Sequence, residues 1–228
     1  MSSVYQDSLR LLEEHAKTHD AILVGFSGGK DSLVVLDLCC KTFKRVVAFY
    51  KWLVPGLPLI ERQLDIARTR YGVQVLQYPH HCFFDAMREG VFCNAAPELE
   101  GVEISLENSF AWPRADTGIE LVATGMKASD GLKRRQFFAN IHSSDSPVWK
   151  NLVLPIEHWK KFDVLTYLKV NGIPLPPSEK GAVTSGVDLT VESILWLHDK
   201  YPEDFKLLLK WFPYAMAVVK RREFHGIE

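Results

Sequence analysis

Six consecutive residues, Ser27-Gly28-Gly29-Lys30-Asp31-Ser32, concentrate the chemistry of this sequence. They follow a short apolar run, residues 21–26, and precede an apolar stretch of helical length, residues 33–41. The first turn of a helix carries amide N–H groups without intrahelical partners and a partial positive charge. Glycines clear side chains from the approach, so an anion can reach the backbone closely. Phosphate is the natural occupant. Lys30 adds a point charge, and Ser27 and Ser32 add hydroxyl donors. The spacing excludes two commoner phosphate loops. A Walker A loop needs a glycine five places before the glycine of the Gly-Lys pair, and that place holds Val24. A dinucleotide fingerprint needs Gly-x-Gly-x-x-Gly, which Gly25-Phe26-Ser27 breaks.

Other reactive residues carry less. Cys39, Cys40, Cys82 and Cys93 form no Cys-x-x-Cys pair. Cys39 and Cys40 sit in an apolar helical run and read as core packing. The set is no disulfide framework and suits a reducing cytoplasm. His80, His81 and Cys82 stand side by side, but adjacent residues converge on one tetrahedral ion only with distant partners. Cys93 is the only nearby candidate, so no zinc centre is expected. Lys220-Arg221-Arg222 reads as a solvated basic end, with contact to nucleic-acid phosphates as a minor alternative.

The elements that must position the loop follow from hydrophobic patterning. Apolar runs at residues 21–26, 45–50, 73–77, 121–124 and 152–155 read as short strands. Helices are expected near residues 4–16, 33–41, 58–71, 83–89, 105–114 and 163–171, with Pro58 in a first turn and Gly72 and Gly172 past helix ends. Strands alternating with helices make an α/β fold, a parallel twisted sheet with helices on both faces. Ligands of such sheets bind at the carboxyl ends of the strands, where the exits at Ser27, Tyr50 and Gly125 would gather. Residues 1–175 form the nucleotide-binding domain. Residues 176–228, a loop and then an aromatic helical region with Trp211, Phe212 and Tyr214, form an extension expected to pack on the same core or to meet a partner subunit or second copy. With 228 residues and a formal net charge of −1, the chain can build a core and lacks the basic surplus of a dedicated nucleic-acid binder. The N-terminal stretch lacks the apolar segment of a signal peptide, and no apolar run is long enough to span a membrane, so a cytoplasmic location is expected.

The hexapeptide resembles the PP-loop of the adenine-nucleotide alpha-hydrolase superfamily, which includes ATP pyrophosphatases and sulfonucleotide (PAPS) reductases. Two further stretches carry the likeness to the PAPS reductase-like group. Thr124-Gly125-Met126-Lys127-Ala128-Ser129-Asp130 resembles that group's Gly-x-Arg-x-x-Glu-Ser segment, with Lys127 in place of arginine and Asp130 in place of glutamate. Lys133, Arg134 and Arg135 supply the later basic positions. Leu154-Pro155-Ile156-Glu157-His158-Trp159, then Asp163-Val164-Leu165-Thr166-Tyr167-Leu168, resembles its Pro-Ile/Leu-x-x-Trp and Asp-Val-x-x-Tyr-Leu pattern, with Trp159 expected in the core. The likeness spans most of residues 21–188. It departs at Tyr50-Lys51-Trp52-Leu53, where the family has an Asp-Thr-Gly-like segment, and at residues 181–188, where a reductase would carry its cysteine nucleophile.

The resemblance implies a Rossmann-like fold and cleavage of ATP between its alpha and beta phosphates, with adenylation of a second substrate and release of pyrophosphate. Ser27, Gly28, Gly29, Lys30, Asp31, Ser32, Gly125 and Asp130 would bind the nucleotide. Lys30 would offset the leaving charge, Asp31 would hold a magnesium ion, and Lys127 with Arg134 or Arg135 would orient the second substrate. That substrate is a small molecule or a nucleic acid, and neither a membrane nor an iron–sulfur cluster is implied. The alternatives are a protein that binds PAPS or APS without reducing it, and a non-catalytic nucleotide-binding module.

Overall fold

The apolar run after residue 20 becomes the middle strand of a five-stranded parallel sheet, and the rest of the chain winds outward from it in two directions. The structure is a computed structural model and describes residues 3–102, 104–175 and 187–226. In chain order, α1 (Ser3–Ala16) leads to β1 (Ala21–Gly25), α2 (Lys30–Thr42), β2 (Arg45–Trp52), α3 (Pro58–Tyr71) and β3 (Gln74–Pro79). The excursion that follows holds α4 (His81–Glu89) and α5 (Ala111–Thr117). Then come β4 (Val122–Thr124), α6 (Leu132–His142), α7 (Pro147–Lys150), β5 (Leu152–Val153) and α8 (Lys161–Val170). Three further helices, α9 (Val191–Lys200), α10 (Pro202–Trp211) and α11 (Met216–His225), follow the last strand. The strand order is β3-β2-β1-β4-β5 with every pair parallel. The order reverses between β1 and β4, which is where sheets of this kind open a crevice for ligands. Among the described residues, no helix is long and apolar enough to cross a membrane.

Side chains alternate across the sheet, as the two-residue period of a strand requires. Ile22, Val24, Ala48 and Tyr50 enter the larger core, together with α1, α2, α3 and α8. Leu23, Val47, Phe49 and Val122 face the other way, against Phe110 and Ile119. Helices on both faces therefore cover the sheet, as expected. The C-terminal helices add Leu197, Phe205, Leu208 and Phe212 to the larger core. Asp204 of α10 accepts the Leu59 N–H of α3 at 2.8 Å, filling a cap that α3's own N-cap side chain does not supply.

Helix α2 is buried nearly all round, the pattern of a helix enclosed by protein. One carboxylate fixes it from behind. Asp37, 6% exposed, accepts the Tyr167 hydroxyl of α8 at 2.5 Å and the Tyr71 hydroxyl of α3 at 3.1 Å, and pairs with Lys41 at 2.6 Å. Trp159, expected in the core, is there at 2% exposed, and its indole N–H reaches Ser8 Oγ of α1 at 2.9 Å. Several elements differ from the sequence reading, among them the helix expected near residues 105–114, which is α5 at Ala111–Thr117. Helix α2 begins at Lys30 rather than near residue 33, because the polar Lys30 and Asp31 hide its first turn from hydrophobic periodicity. Helix α6 completes the crossover from β4 to β5, with Phe138 and Ile141 as its buried residues.

Replacing Asp37 with alanine would leave the buried Tyr167 hydroxyl and the half-buried Tyr71 hydroxyl without their acceptor, while Lys41 keeps Asn171 Oδ1 and the Tyr167 oxygen. The expected loss is about 3 kcal/mol, or roughly 6–12 °C in melting temperature. A thermal melt that moves by less than a degree would show that this network does not anchor α2.

Candidate functional site

Three strand exits meet at the switch point and surround a cleft of about 740 Å³, within the size range of small-molecule sites. Its floor is the turn from β1 into α2. Gly28 has φ +75, and a Cβ there would lie 2.5 Å from Gln63 Oε1, so only glycine fits. Gly29 is the N-cap of α2 with ordinary extended backbone and no side-chain cap. Its contribution is openness rather than conformation, since a Cβ would meet only Ser27 Oγ, at 3.4 Å. The Ser27 and Ser32 hydroxyls lie 3.2 Å apart, and Ser32 Oγ donates to the Gly29 carbonyl at 2.9 Å. The loop thus braces itself, with the Gly29 N–H donating to Ser27 Oγ at 3.4 Å, and its residues with the first turn of α2 line the cleft.

The β4 exit closes on this turn. A Cβ on Gly125 would stand 2.9 Å from both the Asp31 carbonyl carbon and the Ser32 amide nitrogen. Glycine is required there for backbone contact with α2. Behind it lies a buried network of charge. Lys127, 2% exposed, places Nζ 2.7 Å from Asp31 Oδ1 and 3.0 Å from Asp130 Oδ1. Asp31 Oδ2 meets Lys30 Nζ at 3.0 Å. Asp31 Oδ1 has no hydrogen bond of good angle despite its short distance to Lys127, so that contact is Coulombic. Thr124 Oγ1 is buried at the cleft wall and, among the described residues, lacks a hydrogen-bond partner.

The expected site residues therefore divide. Ser27, Gly29, Lys30, Asp31, Ser32, Gly125, Asp130 and Arg134 line the cleft. Gly28 lies buried beneath the loop, Lys127 is an internal counter-ion, and Arg135 is exposed to solvent beside the inward Arg134. Lys127 is thus placed to hold Asp31 and Asp130, not to touch a second substrate. Asp31 sits between two lysines, and its arrangement does not fit a resident magnesium ion, which would compete with both ammonium groups. Of the expected turn at residues 181–188, residues 181–186 lie outside the described residues.

Patterning alone did not mark the opposite wall. Lys51 leaves β2 under Phe110, with Nζ 4.1 Å from that ring's centroid, and donates to Ser109 Oγ at 2.5 Å. Burial pushes the Lys51 amine down from 10.5 to about 8. Next to it, burial and then the His81 and Lys51 charges push His80 down to about 4, and burial followed by Lys51 lowers His81. Both imidazoles are therefore neutral near pH 7. Ser109 and Phe110 come from the excursion between β3 and β4, about sixty residues from Lys51 in sequence, so no local pattern announces the contact. The one available signal was the departure from the family pattern at residues 50–53.

No family model matches the sequence, and no curated protein matches it at a significant level. Solved structures do resemble it. The phosphoadenylyl-sulfate (PAPS) reductase of Candida auris, a phosphate complex, aligns with a TM-score of 0.51 at 17% identity over 76% of this chain and 84% of that one. The NH3-dependent NAD synthetase of Campylobacter jejuni, in complex with nitrate, aligns with a TM-score of 0.52 at 14% identity over 100% of this chain and 98% of that one. The chain shares the fold of both.

The displaced Lys51 value can be measured directly by NMR titration of the lysine side chains. The expected midpoint is about 8. The folded value lies below the unfolded one, so the unfolded chain binds more protons between them; this group makes stability rise with pH from about 8 toward 10.5. Phe110→Ala admits water and should move the midpoint back upward. A wild-type midpoint near 10.5 would contradict the buried placement of this amine.

Proposed function

We propose that this chain binds an adenine nucleotide with its phosphates on the first turn of α2, cleaves between the alpha and beta phosphates, and transfers the adenylyl group to a second substrate. One observation carries the reading: the uncapped start of a buried helix faces a cleft at the sheet's switch point, on a turn that only glycine can form at residue 28. Helix dipole and amide donors favour an anion there over water. The PP-loop fold supports the choice of nucleotide. The phosphate and nitrate complexes of the two structural neighbours fit an anion site in such a fold.

An oxygen of the second substrate would attack the alpha phosphorus in line with the bridging oxygen to the beta phosphate. That P–O bond breaks, the electron pair leaves with pyrophosphate, and the substrate becomes an adenylate. The chain's own residues contribute position and charge, which are the main levers in phosphoryl-type transfer. The Gly29 to Ser32 amides and Lys30 would hold the leaving pyrophosphate. Arg134, across the cleft, would orient the attacking substrate. No step is assigned to magnesium, because Asp31 and Asp130 already serve Lys127. Against reductase chemistry, no cysteine lines the cleft among the described residues, and the sequence has none after Cys93.

Lys30→Ala removes a charged contact to phosphate, an interaction of roughly 1.5–3 kcal/mol, so ATP should bind about ten- to a hundredfold more weakly. Calorimetry on the wild type and variant measures this, and a pyrophosphate-release assay with candidate acceptors tests the chemistry. A Lys30→Ala protein that holds ATP at full strength would overturn the reading. Stabilisation by PAPS but not by ATP in a thermal-shift screen would favour the sulfonucleotide-binding alternative.

A further inference from the structure

The wall of the cleft opposite the phosphate loop carries a second group of ligand-type atoms. His80, His81 and Cys82 each offer one donor, and these three atoms lie within 4.8 Å of one another. Their adjacency in sequence suggested that they would diverge. The backbone brings them together because the chain turns here from β3 into α4. The His80 N–H bonds to the Trp52 carbonyl at 2.8 Å, which extends the sheet ladder and fixes the first residue. His80 is also the N-cap of α4, and its Nδ1 accepts the Cys82 N–H at 3.2 Å. A lone pair of that ring, rather than a proton, therefore points toward Cys82. The two imidazoles stack with centroids 4.2 Å apart and planes 29° apart, so one ring must turn for both in-plane lone pairs to meet one ion.

A second observation is independent of the clustering. His81 Nδ1 is buried and has no hydrogen-bond partner among the described residues. An unsatisfied buried ring nitrogen costs about 1–3 kcal/mol, and fixing the ring by ligation gives such a group a role. Cys93, the distant partner the sequence offered, is not drawn in. Its thiol is buried against the Ala86 carbonyl and Met87 sulfur. The local set is two imidazoles and one thiol, a borderline-soft donor set suited to zinc-class ions rather than to magnesium or calcium.

We propose that His80, His81 and Cys82 bind one divalent transition-metal ion of the zinc class at the cleft wall, with a coordination position left open to the cleft. Tetrahedral ligation at about 2.0–2.3 Å sets donors roughly 3.3–3.8 Å apart. The observed spread therefore closes by about 1 Å, through rotation of the exposed Cys82, a turn of one stacked imidazole and the loss of one long hydrogen bond. Binding releases the Cys82 thiol proton and leaves a thiolate on the metal. Three protein donors are the number found where a metal keeps a place for water or substrate. His80 and His81 both line the cleft that holds Lys30 and Arg134, so that place is within the same chamber. The site does not depend on the nucleotide reading.

The test is titration of the reduced, metal-free full chain with cobalt(II), followed by visible and near-ultraviolet absorption. Saturation at one equivalent with a thiolate-to-cobalt charge-transfer band is expected. Cys82→Ser, an exchange at an exposed position, should abolish the band and leave the melting temperature unchanged. His81→Ala should weaken cobalt binding at least about tenfold, since even indirect partners of metal ligands are worth that much. Zinc should displace cobalt and erase the band. Lys30→Ala should bind cobalt like the wild type, which separates this site from the phosphate loop. No charge-transfer band, or a band that survives in Cys82→Ser, would overturn the assignment.

Discussion

The first turn of α2 has to lie against the exit of β4 at backbone distance, and the cleft depends on that contact. Gly125 permits it, because any Cβ would stand 2.9 Å from the α2 backbone. Lys127, two residues further, then reaches under the turn to Asp31 and Asp130. Burying an ammonium group costs several kcal/mol unless carboxylates answer it. Two carboxylates do, so the β4 exit and the α2 turn are tied by charge as well as by packing. The opposite end of α2 is tied by Asp37 to α3 and α8. A helix fixed in this way keeps its first turn at the cleft floor.

The same network shapes the electrostatics of the cleft. Lys30 and Lys127 balance Asp31 and Asp130 in formal charge. The positive surplus at the cleft then comes from the helix start, Arg134 and the protonated fraction of Lys51. The pairing also explains why Asp31, the acidic residue of the loop, is a structural counter-ion here. The two ends of the cleft differ in kind. One is a glycine-rich anion floor, and the other is an aromatic and imidazole wall around Lys51, His80 and His81.

Much of the fold was legible because each strand is a short apolar run bounded by glycine or polar residues. All five expected strands exist, with ends displaced by at most two residues. The strand-to-helix turn at Ser27–Ser32 was legible because its residues are contiguous and follow an apolar run. Direction was not legible. Lys127 and Arg134 read alike as basic side chains, yet one is internal and the other faces the cleft. The Lys51 wall was hidden because Ser109 and Phe110 reach it across the excursion between β3 and β4. The closeness of the His80, His81 and Cys82 donor atoms was hidden for a related reason: adjacent side chains diverge along a regular strand, but these stand at a strand-to-helix corner.

Amide chemical shifts give the most direct test of the phosphate turn. Titration of the isotope-labelled chain with ATP, followed by two-dimensional amide NMR, should shift Gly29, Lys30, Asp31 and Ser32 saturably and ahead of other residues. Gly125, packed on the same turn, should follow with a smaller change. Shifts confined to the far surface, or none at these four amides at saturating nucleotide, would contradict the account.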